Sequence, residues 1–371
     1  VYESLNEENH SKKYQYTLPT ITFNNFLRKF NQAISFNNSV SAKNLGENIN
    51  QTHQINQINT ASELKKINAI QGLGTVFKTS INNFNTYNQN VEGAKENMNN
   101  DIYLTLAIEN SYPLIKYNGK TEQSISPILF SKYTTGSMED ASSQSKILNY
   151  QDIFSMDRTN NLTTIETGAS VGYGIEYNIN KRDLNNNVYL DAGFSIGQIV
   201  KEKKLKEMPE SSSLQEKKSD YVGNSSFKIK TEKFNNSGFN IDYNYIVNNN
   251  FNALIKNEIS TSFTNNHNTL GLTFYEENKI GDKHYLEANY KRKFNNSLNF
   301  SMGIRKNLQE DFTERNFIET NYESDCLKIG LNLSKKFYQD EELQPSNNLT
   351  FFIVLKPFGS PVAPDLSKFL N

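Results

Sequence analysis

The stretch IETGASVGYGIEY, residues 165–177, reads in strict alternation. Ile165, Thr167, Ala169, Val171, Tyr173, Ile175 and Tyr177 fall on one side, and Glu166, Gly168, Ser170, Gly172, Gly174 and Glu176 on the other. A period of two marks a β-strand with two unlike faces. Its length suits a tilted membrane-crossing strand, which needs about 9–11 residues. LNFSMGIR, residues 298–305, repeats the pattern with Leu298, Phe300, Met302 and Ile304 against Asn299, Ser301, Gly303 and Arg305.

Working outward, further copies are Ile102/Leu104/Leu106/Ile108, Val188/Leu190/Ala192/Phe194/Ile196, Phe239/Ile241/Tyr243/Tyr245 and Leu327/Ile329/Leu331/Leu333. About seventeen such segments run from Tyr14 to Phe358, the pattern being weaker before residue 100. Asn185-Asn186-Asn187, Asn235-Asn236-Ser237, Asn248-Asn249-Asn250 and Asn295-Asn296 read as short turns, because Asn tolerates positive φ. Residues 133–163 and 198–223 read as long polar loops. Tight turns alternating with long loops predict an antiparallel up-and-down meander. Pro19, Pro113, Pro127 and Pro357 sit near strand ends or in weak strands, where each deletes one ladder donor. Between Ala61 and Ile70, Leu64, Ile67 and Ile70 have helical spacing, and this stretch is expected to be a loop with at most one helical turn.

Composition agrees with an all-β chain: 20 Tyr and 24 Phe are present and Trp is absent. A net charge of -1 gives no basic face for nucleic acid. The mean hydropathy of -0.68 is low, and no stretch approaches the roughly 20 apolar residues of a spanning helix. A membrane barrel escapes both tests, since only alternate strand residues meet lipid. The opening VYESLNEENH has neither initiator Met nor leader-like apolar run, and the chain is expected to be a fragment of a longer protein. A soluble sandwich would use strands averaging about 5–6 residues, shorter than these. The expected fold class is therefore a large antiparallel transmembrane β-barrel, here a partial barrel of about 16–18 strands.

No constellation for catalysis is found. His10, His53, His267 and His284 lack ligand-like spacing. Gly172 and Gly174 alternate within a strand and open no helix, so they read as small lumen-facing positions rather than a nucleotide loop. Glu276 and Glu277 lie where a strand enters its turn and read as a solvated rim. No enzyme activity, metal or cofactor is expected. The run KEKKLKEMPESSSLQEKKSD, residues 201–220, reads most simply as a solvated loop. Its Lys201, Lys203, Lys204, Lys217 and Lys218 offer an alternative, contact with a phosphorylated glycolipid.

Residues 112–177 resemble the core of the lipopolysaccharide-assembly outer-membrane protein family, LptD, of α-proteobacterial type. The likeness rests on an ordered set: YPL at 112–114, SPILFSKY at 126–133, MED at 138–140, NYQDIFSMDR at 149–158, and IETGASVGYGIEY. Within the loop motif, Met138, Glu139, Asp140, Asn149, Tyr150, Ile153, Phe154, Asp157 and Arg158 carry the match. MPESSSLQEKKSDYVG, DCLKIGLNLSKKFY and NNLTFFIVLKPF extend it to residue 358.

The resemblance implies a 26-stranded barrel, of which residues 1–358 would be the C-terminal part and 359–371 a tail. It implies an LptE-like lipoprotein plug, an LptA-like periplasmic bridge reached through an upstream domain, and lipopolysaccharide leaving through a lateral seam into the outer-membrane lipids. The last strand, with Leu349, Phe351, Ile353, Leu355 and Pro357, would form one lip of that gate. Cys326, the chain's one cysteine, would take the second position of a family cysteine pair and join the upstream domain by a disulfide, with an unpaired thiol as the alternative. A general outer-membrane porin and an extracellular β-rich adhesin are the rival readings.

Overall fold

The computed structural model describes residues 2–4, 14–31, 34–47, 52–68, 72–89, 97–142, 146–159, 164–231, 237–337 and 346–355. Among the described residues nineteen strands make one antiparallel sheet. They are β1 (Tyr2–Ser4), β2 (Tyr14–Asn31), β3 (Ile34–Glu47), β4 (Thr52–Asn68), β5 (Leu73–Gln89), β6 (Asn97–Ser111), β7 (Leu114–Asn118), β8 (Thr121–Thr134), β9 (Gly168–Arg182) and β10 (Val188–Lys201). There follow β11 (Tyr221–Thr231), β12 (Ser237–Val247), β13 (Leu254–Thr264), β14 (Asn268–Glu277), β15 (Lys283–Lys293), β16 (Leu298–Asn307), β17 (Phe312–Glu323), β18 (Leu327–Lys336) and β19 (Ser346–Leu355). The up-and-down all-β architecture is the one the alternation predicts. The surplus over about seventeen is short pieces, β1 of 3 residues and β7 of 5.

One expectation fails early in the chain. Ala61–Asn68 is not a loop but part of β4, whose 17 residues pair in unbroken register with β5. Continuous ladder pairing outweighs the helical spacing of Leu64 and Ile67, a weak local preference beside tertiary context. Prolines behave as expected where they are described. The β2–β3 register skips Pro19, Pro113 separates β6 from β7, and the Pro127 carbonyl still accepts from the Tyr112 N–H at 3.2 Å. Pro357 and the 359–371 tail lie outside the described residues.

The chain divides into two compact units. The first comprises Val1–Asn178, Phe194–Asn224 and Ile246–Leu254, and the second Ile179–Gly193, Ser225–Tyr245 and Ile255–Asn371. In the second unit the register lines up Leu270, Tyr290, Met302, Ile318, Leu333 and Leu349 across β14–β19. The opposite face carries Thr273, Glu287, Arg305, Arg315 and Lys336 across β14–β18. In the first unit Phe77, Leu106 and Tyr133 stand exposed on one face, while Tyr103, Phe130 and Lys132 are buried on the other. Cross-strand rows of this kind hold a sheet in one register, because a one-residue slip would exchange the faces.

Turn chemistry is more varied than tolerance of positive φ. Among the described asparagines only Asn186 adopts it, at φ 65°, joined by Phe251, Asp282 and Asp311. Asn235 and Asn236 lie outside the described residues, and the other described Asn turns work through side-chain acceptance. Asn265 Oδ1 takes the N–H groups of His267 and Asn268, and Asn295 Oδ1 those of Ser297 and Leu298. These are Asx turns, in which the side chain replaces a missing ladder partner. Glu277, expected on a solvated rim, is buried instead and accepts from the N–H groups of Lys279 and Ile280 at the β14–β15 turn.

Candidate functional site

The polar face of the first unit is covered by its own chain. β9 begins at Gly168, whose φ of 90° bends the backbone. Residues 165–167 consequently leave the strand predicted for them. Ile165 turns away from the apolar face to pack with Phe84 and Tyr103, and Glu166 and Thr167 are buried. Further along, a Cβ on Gly172 would stand 2.6 Å from the Ile153 carbonyl oxygen, and one on Gly197 2.8 Å from Ile153 Cδ1. The two glycines on β9 and β10 are thus a floor on which NYQDIFSMDR lies flat.

The segment is shaped for that floor. Tyr150–Phe154 form one 3-10 turn. Asp152 closes it by accepting from the Asn149 N–H at 2.8 Å and pairs with Lys146 at 3.3 Å. Tyr150 meets Phe154 edge to face at 5.3 Å. Burial, and then the charge of Glu176, push the Tyr150 hydroxyl's pKa up, so this phenol stays neutral. Ile153 is fully buried.

Arg158 fastens the segment down. Its Nη1 donates to Glu166 Oε2 at 3.1 Å and to Ser170 Oγ at 2.9 Å, and Nη2 donates to the Ile153 carbonyl at 3.0 Å. Lys132 on β8 donates from Nζ to Glu166 Oε2 at 2.9 Å and to the Met156 carbonyl at 3.0 Å. The guanidinium also lies over the Phe130 ring, 5.7 Å from its centroid. Lys201 at the end of β10 donates to the Leu214 carbonyl and adds its charge to the field at Glu166. Burial alone would raise the Glu166 pKa. Attraction by Lys132, Arg158 and Lys201 and the hydrogen bond from Lys132 outweigh it and hold the carboxyl well below its ordinary range.

Three buried cations therefore share one buried carboxylate. A buried ion pair adds little net stability, yet removing one partner strands the other without solvent. This cluster joins wall to covering segment through Glu166.

The long loops after β8 and β10 pack together. Ala141 N–H donates to the Glu207 carbonyl at 2.8 Å and Ser213 N–H to the Lys146 carbonyl at 3.0 Å. Met138, Leu148, Leu205, Met208 and Leu214 are buried with them. This corrects the reading of residues 201–220 as a simple solvated loop. Alternating Lys and Glu hide buried Leu205, Met208 and Leu214, and the buried Lys201 is part of the charge cluster. Lys203, Lys204, Lys217 and Lys218 remain exposed, with Lys204 paired to Glu216 at 2.6 Å.

The remaining predicted positions fall as follows. Glu139 N–H donates to Thr164 Oγ1 at 3.0 Å, and Asp140 accepts from the Ser142 N–H, which lowers its pKa. Asp157 caps Thr159 N–H at 2.9 Å. In the second unit Leu349, Phe351, Ile353 and Leu355 are exposed on β19, opposite Leu333, Leu331, Ile329 and Leu327 of β18. On the other face the Phe352 ring fills the space over Gly330. Cys326 is an exposed free thiol in the three-residue turn between β17 and β18. The structure brings the loop motif together with β8, β9 and β10. The reading of single motifs missed Lys132 and the partnership of Arg158 with Glu166. The signal available was phase, since Lys132 shares the inward register of Phe130 and Thr134.

Large apolar side chains exposed in rows would each cost about 1.5–3 kcal/mol against burial in an apolar medium. Patches of this size mark a membrane or partner surface. No helix among the described residues is long and apolar enough to cross a membrane, a test that strands of a barrel do not enter. A large antiparallel sheet with this face turned to hydrocarbon defines an outer-membrane β-barrel protein.

No family profile matches the chain, and no curated protein matches its sequence. Solved structures similar to it include the copper transporter OprC, at 8% identity over 95% of this chain and 64% of that one, with a TM-score of 0.47. The siderophore receptor PiuA from Acinetobacter baumannii is similar at 10% identity over 94% of this chain and 71% of that one, with a TM-score of 0.38. A structure described as "Asymmetric conductivity of engineered proteins" aligns at 9% identity over 81% of this chain and 92% of its own, with a TM-score of 0.32. The chain thus spans under two thirds of the copper transporter's length. Likeness at these levels says nothing of cargo.

Proposed function

We propose that this chain is barrel sequence of a lipopolysaccharide translocon, inserting the glycolipid into the outer leaflet through a lateral seam. The observation that carries the reading is where the family-like stretches meet. Lys132 from SPILFSKY and Arg158 from NYQDIFSMDR both donate to the Glu166 carboxylate of IETGASVGYGIEY, and Lys132 also donates to the Met156 carbonyl. Stretches that resemble one family in order, and are also one another's packing partners, form a unit rather than a scatter of likenesses.

The chemistry suits the cargo. A phosphorylated sugar head needs a polar path while its acyl chains need hydrocarbon, and parting two strands offers both at once. β19 supplies the apolar lip with Leu349, Phe351, Ile353 and Leu355. Exposed Lys203, Lys204, Lys217 and Lys218 would meet phosphate groups at the loop end. An LptE-like lipoprotein and an LptA-like bridge would be the protein partners, and Cys326 would pair with a cysteine of an upstream domain.

A channel is the second reading, favoured by the row Glu287, Arg305, Arg315 and Lys336 on the polar face. Opposite charges in such a row are what a selective pore presents to solutes. Photo-crosslinking from positions 349–355 in cells separates the two. Lipopolysaccharide adducts at 351 and 353, weak or missing at lipid-facing Ile259, support translocation. Equal labelling at all three sites, with ion conductance in bilayers, supports the channel.

A further inference from the structure

We infer that Glu166 is the latch of an internal plug, and that residues 149–158 leave the polar face of the first unit when that latch is neutralised. This concerns what gates the barrel and not what it carries, so its failure would leave the lipopolysaccharide reading standing.

The covering segment is not held as a hydrophobic core would hold it. Ile153 and Tyr150 are its buried apolar anchors. Its remaining hold is polar: Arg158 reaches Glu166, Ser170 and the Ile153 carbonyl, and Lys132 reaches Glu166 and the Met156 carbonyl. The site is also incompletely satisfied. Arg158 Nε and Thr167 Oγ1 are buried with no hydrogen-bond partner among the described residues. Such a partly satisfied network is costly to keep in low dielectric. With Glu166 neutral, Lys132, Arg158 and Lys201 would face one another with only Asp157 acting on Lys132 and Glu216 on Lys201 as remaining acidic groups. Only Arg158 rides on the segment that can leave, so repulsion is relieved by its departure.

Gly172 and Gly197 make a removable fit as well as a close one. At these positions the segment presents the Ile153 carbonyl and Cγ2 to Gly172 and Ile153 Cδ1 to Gly197, and the glycines carry no side chain that interlocks with them. Lifting the segment therefore withdraws Ile153 from a stretch of wall that carries no side chains at Gly172 and Gly197.

The test is single-channel recording of the full-length protein in planar bilayers, with protease sensitivity at 149–158 as a second readout. Wild type is expected to be mostly closed. Glu166→Gln should raise the open fraction roughly a hundredfold, the scale on which a broken buried pair shifts a two-state equilibrium. Adding Lys132→Met to Glu166→Gln removes one of the three stranded cations and should recover part of the closure, a rescue that plain misfolding would not give. If Glu166→Gln fails to assemble, Arg158→Lys serves. It keeps the charge but loses the forked donors, and the same opening is expected. A folded Glu166→Gln or Arg158→Lys protein that conducts and resists protease like wild type overturns the latch, as does a double variant no nearer wild type than Glu166→Gln alone.

Discussion

The polar faces of the two units carry similar residues and use them differently. In the first unit Lys132, Arg158 and Glu166 are sealed under the chain's own loop, with side chains of the Lys132–Glu166 pair at most 1% exposed. In the second, Arg305 and Glu287 make a slightly shorter pair, 2.7 Å against 2.9 Å, yet stay 39% and 29% exposed. Tyr285 stacks between Tyr275, at 4.8 Å, and the Arg305 guanidinium, at 4.4 Å. Identical chemistry thus makes a switchable joint where water is excluded and a solvated girdle where it is not. Burial, not the ion pair itself, sets the energetic stake.

That contrast is sharpest for loss of one carboxylate. Glu166→Gln should cost about 3–5 kcal/mol of first-unit stability, whereas Glu287→Gln should cost about 0–1 kcal/mol. Urea titration followed by the gel shift between folded and unfolded barrel measures both. Equal losses would break the comparison.

Glycines give the next largest difference. Gly172→Ala drives a Cβ into the Ile153 backbone at 2.6 Å, which cannot yield cheaply, and should cost about 1–3 kcal/mol. Gly303→Ala meets the Phe317 ring at 2.5 Å, the far end of a partly exposed side chain that can swing, and should cost about 1 kcal/mol or less. Comparable protease sensitivity of the 149–158 segment in the two variants would contradict the assignment of Gly172 as plug floor.

Acidity should act on the first unit through Glu166. Its native pKa is held below the ordinary 4.5, so its stabilising contribution is complete above that value. The contribution falls away as pH drops from there toward the depressed native pKa. Protease cleavage within 149–158 should therefore rise progressively below about pH 4.5, and the rise should be absent in Glu166→Gln, which is open throughout. A wild-type segment equally protected at pH 3 and pH 7 would count against the sign.

The smallest effect concerns turns. Asn186 holds φ 65°, so Asn186→Gly should be neutral within about 0.5 kcal/mol, and Asn186→Val should cost about 1–2 kcal/mol by the same unfolding assay.

These contrasts also show how far the sequence could be read. Strands and their two faces were legible because a period of two survives any register, and Met302, Ile318 and Leu333 fall on one face as their alternation demands. Strand ends were not. Gly168 ends the β9 pattern early because its φ lets the chain turn, and nothing in the alternation of Ile165 and Thr167 announces that turn. Glu166 appeared as one more inward residue, since its value lies in Lys132 and Arg158, brought to it by tertiary pairing from 34 and 8 residues away. Residues 201–220 misled for a related reason: their surface composition is that of a solvated run, while three apolar side chains spaced through it find a partner loop.

In cells depleted of the protein, the most direct measurement is the amount of newly made lipopolysaccharide that a surface-restricted enzyme or probe can reach. Translocation predicts that it falls steeply while other outer-membrane barrels stay assembled and small-solute uptake is unchanged. Undiminished surface lipopolysaccharide, with small-solute uptake lost instead, would contradict it in favour of a channel.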